Sequence, residues 1–422
     1  MRLFSLPYGT GSLEFSLPLA CPVDEINPPA PPSIAEAALP EKIKLAMQSP
    51  LGEKSLSEFQ GVKTVGIAVN DKTRPVPNDL LLPPLLEALA DLGIAREQTC
   101  FFIANGTHAP MVPAEFGQVL PQHILDQYEI VSPSCDDIAS QVDLGLTSRG
   151  TPVKVNRRFY QCGLKIVVGN IEPHYFAGFS GGCKTAAIGL SSRETVTHNH
   201  AMLVDPRSDL GMYLENPVRQ DIEEIGDKIG VDFALNAVLS GERTIAEILF
   251  GQPRQVMLAG VPIAQTICQT PTRGGYDLVI ASAGGHPKDI NLYQAQKGMT
   301  HAALLVRNGG ILILAAACPE GIGSATYEKY MVGKASHEQI LATFLQDGFK
   351  IGPHKAFLIA RMATRIQISL VSEITDEQLK KFLLHPVRLQ PAIDQALQVI
   401  GPDARIAVMA HAASTIPVIL VN

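Results

Sequence analysis

Lys63-Thr64-Val65-Gly66-Ile67-Ala68-Val69 runs straight into Asn70-Asp71-Lys72-Thr73-Arg74-Pro75, and that junction decides how the chain is read. The first seven residues form a short β-branched run of the kind buried in a parallel sheet, and the next six place an acid, a hydroxyl and two bases directly after it. Residues 78–92 carry an asparagine cap, prolines near the start and Gly93 just past the end, which predicts a helix. Thr99–Ala104 follows as a second apolar strand. Strand, loop, helix, strand is a βαβ unit, and such units bind ligands beyond the carboxyl ends of their strands. The loops 70–78 and 105–111 are therefore the first places to look for chemistry.

Outward from this unit the alternation continues. Upstream, residues 12–19 alternate as a strand does, the proline-rich 27–33 reads as an extended connector, and 35–48 reads as a helix that Pro40 kinks. Downstream, 164–168 is another apolar strand, followed by the densest glycine, histidine and aromatic stretch of the chain, 169–200. An acidic helical region near 219–226 and a polar, glycine-bearing segment at 269–275 put a boundary near residue 270. Beyond it, 278–282 and 311–315 read as buried strands with a helix starting near Asn291 between them, 357–359 and 406–409 as further strands, and 373–384 as a helix. The expected fold is α/β, with two α/β domains at 1–270 and 271–422 and a cleft between them, the extreme C-terminus being a candidate to return to the first domain.

Composition narrows the function. A chain of 422 residues exceeds one small core, and 46% hydrophobic with 18% charged residues is enough to bury a large one. Lys and Arg total 34 against 41 Asp and Glu, a formal charge of −7 with no long basic run, which argues against nucleic-acid binding. No apolar run approaches the ~18 residues of a membrane span, and the start lacks a signal peptide's apolar region. Seven scattered cysteines, never in C-x-x-C spacing, indicate neither a disulfide framework nor a cysteine zinc site and fit a reducing cytoplasm.

Arg74 is placed to clamp a carboxylate or phosphate through its fork of donors. The second loop, Asn105-Gly106-Thr107-His108, puts a histidine at the same sheet edge. Gly178 to Thr185 nearly matches the phosphate loop G-x-x-x-x-G-K-[ST], but Cys183 replaces the second glycine and the preceding strand ends several residues too early, so a nucleotide triphosphatase is disfavoured. Lys184 remains a nucleophile or point charge in a flexible loop. His198-Asn199-His200 places two histidines on different sides of a helix. With His108 and His174, one of them could complete a three-histidine metal site, which points to a zinc hydrolase; a non-catalytic metal or ligand carrier is the other open reading. In the second half, Gln294 and Lys297 share a helix face at i and i+3.

Taken together, Asp71–Arg74, Gly106-Thr107-His108, Glu172-Pro173-His174 through Gly182-x-Lys184, His198-Asn199-His200 and Tyr293-Gln294-x-x-Lys297, in that order, resemble the LarA-type lactate racemases, the nickel-pincer-dependent 2-hydroxyacid racemases and epimerases. The resemblance runs over most of the chain. It implies nickel held in a pyridinium-3,5-bisthiocarboxylic acid mononucleotide, tethered covalently through Lys184, with His200 as the protein nickel ligand. It implies His108 and His174 as the acid/base pair, Asp71, Thr73, Gly106 and Gly182 as cofactor-binding residues, and Arg74, Tyr293, Gln294 and Lys297 as substrate-binding residues. The implied partners are a small 2-hydroxy acid and the enzymes that mature the cofactor. The chemistry agrees: removing the α-hydrogen of a hydroxy acid as a proton leaves a carbanion beside a carboxylate, whereas hydride removal to an electron-poor centre avoids that anion. A histidine then needs only to take the hydroxyl proton, a task suited to its ordinary pKa of ~6.5.

Overall fold

The computed structural model describes residues 1–29, 33–240, 244–401 and 403–420. It divides into two compact units, Pro31–Ile267 and a second made of Met1–Ala30 with Cys268–Asn422. The units part at residues 267–268, and the first 30 residues group with the C-terminal unit. Ile416–Ile419 pairs in parallel with Gln269–Thr272.

Pro31–Ile267 is built on a six-stranded sheet in the order Ile245–Gly251, Phe233–Leu239, Leu164–Ile171, Val65–Asn70, Thr99–Ala104, Glu129–Val131. All neighbours are parallel except Ile245–Gly251, which folds back antiparallel on the adjacent strand. The central strands read as continuous apolar runs because helices cover both faces, and every residue of Val65–Val69 is buried. Strand order runs outward from Val65–Asn70 to one edge, then resumes on its other side with Leu164–Ile171. The carboxyl ends of these two strands therefore flank the topological switch point, where open parallel sheets bind ligands.

The second unit has an all-parallel six-stranded sheet: His385–Pro386, Gln367–Val371, Val306–Ala315, Tyr276–Ser282, Ile406–Met409, Val23–Glu25. Its order reverses between Tyr276–Ser282 and Ile406–Met409. The helix Leu292–Ala303 leaves the carboxyl edge of Tyr276–Ser282, with Asn291 Oδ1 accepting from the Gln294 amide as a cap. A hairpin of Arg2–Tyr8 and Gly11–Leu17 contributes Phe4, Leu6, Phe15 and Leu17 to the apolar cluster on one face of this sheet.

Three local expectations are corrected. Residues 357–359 are not a strand but the buried middle of the helix Pro353–Ala363, since a short apolar run fits either element. Pro40 lies in the first turn of Leu39–Gln48, where its missing N–H costs nothing, and starts the helix rather than kinking it. Asn78 does not cap its helix; its side chain donates to the Val119 carbonyl instead.

Candidate active site

The loop after Val65–Asn70 is organised by Asp71. Its Oδ1 accepts from the Thr73 amide at 3.1 Å and the Thr73 hydroxyl at 2.6 Å, closing a local turn. Its Oδ2 lies 2.6 Å from His108 Nδ1, on the loop after the neighbouring strand. Burial alone would raise this carboxyl, but the hydrogen bonds from His108 and Thr73 outweigh it and hold it below the ordinary carboxylate range. An ionised Asp71 can only accept, so His108 Nδ1 carries the hydrogen. The His108 side chain is 53% exposed against 6% for Asp71, so a base stands in the open on a buried anchor.

Gly106 holds this loop to its neighbour, its amide donating to the Gly189 carbonyl. Beyond Leu164–Ile171 the chain makes a two-residue antiparallel pairing, Pro173–His174 with Gly178–Phe179. Gly178 has φ +71°, and a Cβ there would meet the Met212 carbonyl oxygen at 1.6 Å, so no other residue fits. His174 is buried and stacked on Tyr175 at 4.9 Å, and the Ala177 amide donates to its Nδ1 at 3.2 Å. This ring is consequently neutral with its hydrogen on Nε2. The edge of Phe176 meets both His174, at 4.7 Å, and His200, at 4.8 Å, which places the two histidines on one wall.

Lys184 opens the helix Lys184–Gly189. Burial, with the positive charges of Arg74 and Arg219, pushes its amine well below the ordinary lysine value, against the smaller opposing pull of Glu172 and Asp71. His200 closes the helix Arg193–Ala201. Burial and the charges of Lys184 and Arg74 push its imidazole down to about 3, so it is neutral. Lys184, Arg74 and His200 thus form one electrostatically coupled group at the switch point. In the same unit the buried Asn170 Oδ1, Asn105 Oδ1 and Ser180 Oγ have no hydrogen-bond partner among the described residues, the condition expected where a polar ligand seats.

Sequence reasoning missed what holds the glycine loop. Arg219, fully buried, pairs with Glu223 at 2.6 Å and donates to the carbonyls of Phe179 and Gly181, both at 3.1 Å. Glu223 also accepts from the Tyr213 hydroxyl and the Cys183 thiol. Burial would raise Glu223, but Arg219 overrides it and keeps the carboxylate ionised. Gly182 has φ +55°, its amide donates to Asn236 Oδ1 at 2.7 Å, and a Cβ would strike Met257 at 2.6 Å. Cys183, where a phosphate loop has glycine, is buried against Glu223.

Asp71 lies in the loop after Val65–Asn70, where its oxygens accept from Thr73 and His108. Tyr293, Gln294 and Lys297 lie in the other unit, on the first turns of Leu292–Ala303 and half-buried. The Tyr293 ring is capped by Lys355 Nζ at 4.5 Å. The three-histidine zinc site does not form: among the described residues no group of three or more His, Cys, Asp or Glu could hold a metal ion. No described helix is long and apolar enough to cross a membrane.

These features define an α/β protein whose switch-point crevice carries two oppositely protonated histidines, a depressed lysine and a neutral third histidine: an enzyme rather than a carrier by its chemistry. Residues 8–211 match the lactate racemase N-terminal domain and 272–417 the lactate racemase C-terminal domain, so the chain belongs to the lactate racemase family, a family of isomerases. It is 26% identical over 99% of both chains to the lactate racemase of Thermoanaerobacterium thermosaccharolyticum. It is 27% identical over 85% of both to that of Lactiplantibacillus plantarum. The structure of the T. thermosaccharolyticum lactate racemase apoprotein superposes with a TM-score of 0.91 over 99% of this chain and 100% of that one, at 26% identity. A Thermotoga maritima protein at 17% identity shares the fold, with a TM-score of 0.65 over 93% of this chain and 99% of that one.

Proposed function

We propose that this chain racemises lactate or a related short-chain 2-hydroxy acid, using a nickel-pincer mononucleotide supplied by maturation enzymes and bound in the crevice of Pro31–Ile267. The observation that carries this reading is the pair of opposed histidine tautomers: His108 has Nδ1–H tied to Asp71, which leaves the lone pair on Nε2, while His174 has Nδ1 accepting from a backbone amide, so its hydrogen is on Nε2. A racemase needs one group to take the hydroxyl proton and another to give one back. The two rings are set for these roles before substrate arrives.

The donor set fits the cofactor. A lysine with a depressed pKa is a nucleophile at neutral pH and suits a covalent tether; a neutral imidazole suits nickel; and the unpartnered Ser180, Asn170 and Asn105 atoms suit a polar nucleotide. Lys184 is assigned the tether and His200 the metal, with Thr73, Gly106 and Gly182 shaping the loops around them. When bound, the group supplies an electron-poor centre able to accept the α-hydrogen with its electron pair. Arg74 is assigned to the substrate carboxylate, and Tyr293, Gln294 and Lys297 remain substrate-binding candidates by the family resemblance. Asp71 orients His108 and stays among the cofactor-binding candidates. The cysteines, none joined by a disulfide among the described residues, suit a reducing cytoplasm. The test is interconversion of D- and L-lactate, beside a panel of enantiopure 2-hydroxy acids, by the cofactor-loaded enzyme. Binding of these acids with no change of configuration would leave a carrier.

A further inference from the structure

Asn199 stands between two histidines with its amide committed on both sides. Its Nδ2 donates to Asp221 Oδ2 at 2.9 Å and to the Val218 carbonyl at 3.1 Å, and all three residues are fully buried. Carboxylate and carbonyl only accept, so the amide nitrogen must face them and the flip of the side chain is settled by its partners. Oδ1 is thereby turned to His200 Nδ1, 2.9 Å away. An oxygen in that position only accepts, so His200 Nδ1 carries the hydrogen and Nε2 holds the lone pair. Asp221 reaches the other histidine by the same logic. Thr151 gives its single hydroxyl hydrogen to Asp221 Oδ2 at 2.8 Å, so its oxygen accepts from His198 Nδ1 at 3.0 Å. The Thr147 hydroxyl donates to Oδ1 at 2.6 Å.

We infer that Asp221 and Asn199 are positioning residues that lock His200 in its Nδ1–H tautomer and so assign metal ligation to Nε2. Metal-binding histidines are commonly held this way, their second nitrogen donating to an oxygen that fixes both tautomer and ring orientation. What differs here is that the oxygen belongs to a neutral amide, itself aimed by a buried carboxylate one step further out. This role deepens the reading of His200 as the nickel ligand and rests on it, but the tautomer is a property of the metal-free chain and is measured there.

The experiment is long-range proton–nitrogen correlation NMR of the metal-free protein, labelled at the histidine ring nitrogens, above neutral pH, with His200 assigned through His200→Gln. The unmodified protein should show the Nδ1–H pattern at His200. Asn199→Ala should lose it, and Asp221→Asn, which removes the carboxylate that fixes the orientation of the Asn199 amide, should weaken it. Nickel affinity after cofactor loading should fall about 10–100-fold in Asn199→Ala. An Nε2–H pattern in the unmodified protein overturns the assignment without any variant having to fold, as does an unchanged pattern in Asn199→Ala. If the tautomers behave as stated but His200→Gln retains wild-type nickel, it is the reading of His200 as ligand that falls.

Discussion

The charge of Asp71 faces another side chain, the His108 imidazole. Asp71→Asn should release the His108 ring from its fixed tautomer and lower racemisation by roughly 10²-fold, the lower end of what a general acid or base contributes. Its pH signature has a definite sign. The folded carboxyl titrates below the ordinary ~3.9, so its stabilising contribution is complete above that value and is lost as the pH falls through the lowered one. The Asp71→Asn variant lacks this titration and should lose less stability than the wild type across that acid window. Coincident acid-unfolding curves would mean that the Asp71–His108 bond contributes nothing. Lys184→Ala should fold normally and take up no covalent cofactor, read as a missing adduct in the intact-protein mass; an adduct equal to the wild type would remove Lys184 as tether. At this scale the sequence placed Arg74 and His108 on loops just after strands, where the structure has them, while Lys184 opens a helix. The Asp71–His108 bond was not legible, because its partners are 37 residues apart and only the parallel pairing of Val65–Asn70 with Thr99–Ala104 makes them neighbours.

The helix Pro217–Ile229 carries a pair whose importance its spacing conceals. Arg219 and Glu223 at i and i+4 have the pattern of an ordinary solvated pair, worth a few tenths of a kcal/mol. Here both are buried, and the guanidinium also holds two carbonyls of the glycine loop. Arg219→Met would strand a buried carboxylate, and breaking such a pair costs ~3–5 kcal/mol. Denaturant unfolding should show a loss of this size. The double change Arg219→Met, Glu223→Leu should recover part of it, while cofactor attachment at Lys184 stays low in both because the loop has lost its brace. If the single variant were as stable as wild type and attached cofactor normally, the pair would be incidental. The same limit explains the misread strand at 357–359: three apolar residues have no period, and the surrounding helix becomes visible only once its buried face is known.

Across the whole molecule the alternation of strands and helices, and with it the α/β class, was legible, whereas membership of the first 30 residues was not. Val23–Glu25 is too short for any periodicity and pairs with Ile406–Met409, nearly the full chain length away. The choice between two chemistries is a property of the complete enzyme rather than of any element, since two histidines alone suit a two-base proton racemase equally well. In that mechanism the α-proton rests on an imidazole that exchanges with water, and the opposite face is reprotonated from the other ring. Product formed in heavy water then carries α-deuterium. In a hydride transfer the α-hydrogen never occupies an exchangeable position and returns to the carbon it left, while His108 and His174 handle only the hydroxyl proton. The expected result is therefore product that keeps its original α-hydrogen in heavy water, and α-deuterated lactate that reacts more slowly while keeping its label. Proton NMR of the acid at partial conversion measures both. Deuterium entering the α-position in proportion to turnover would return the two histidines to carbon acid–base chemistry, and the depressed amine of Lys184 and the neutral ring of His200 would then have no part in the reaction.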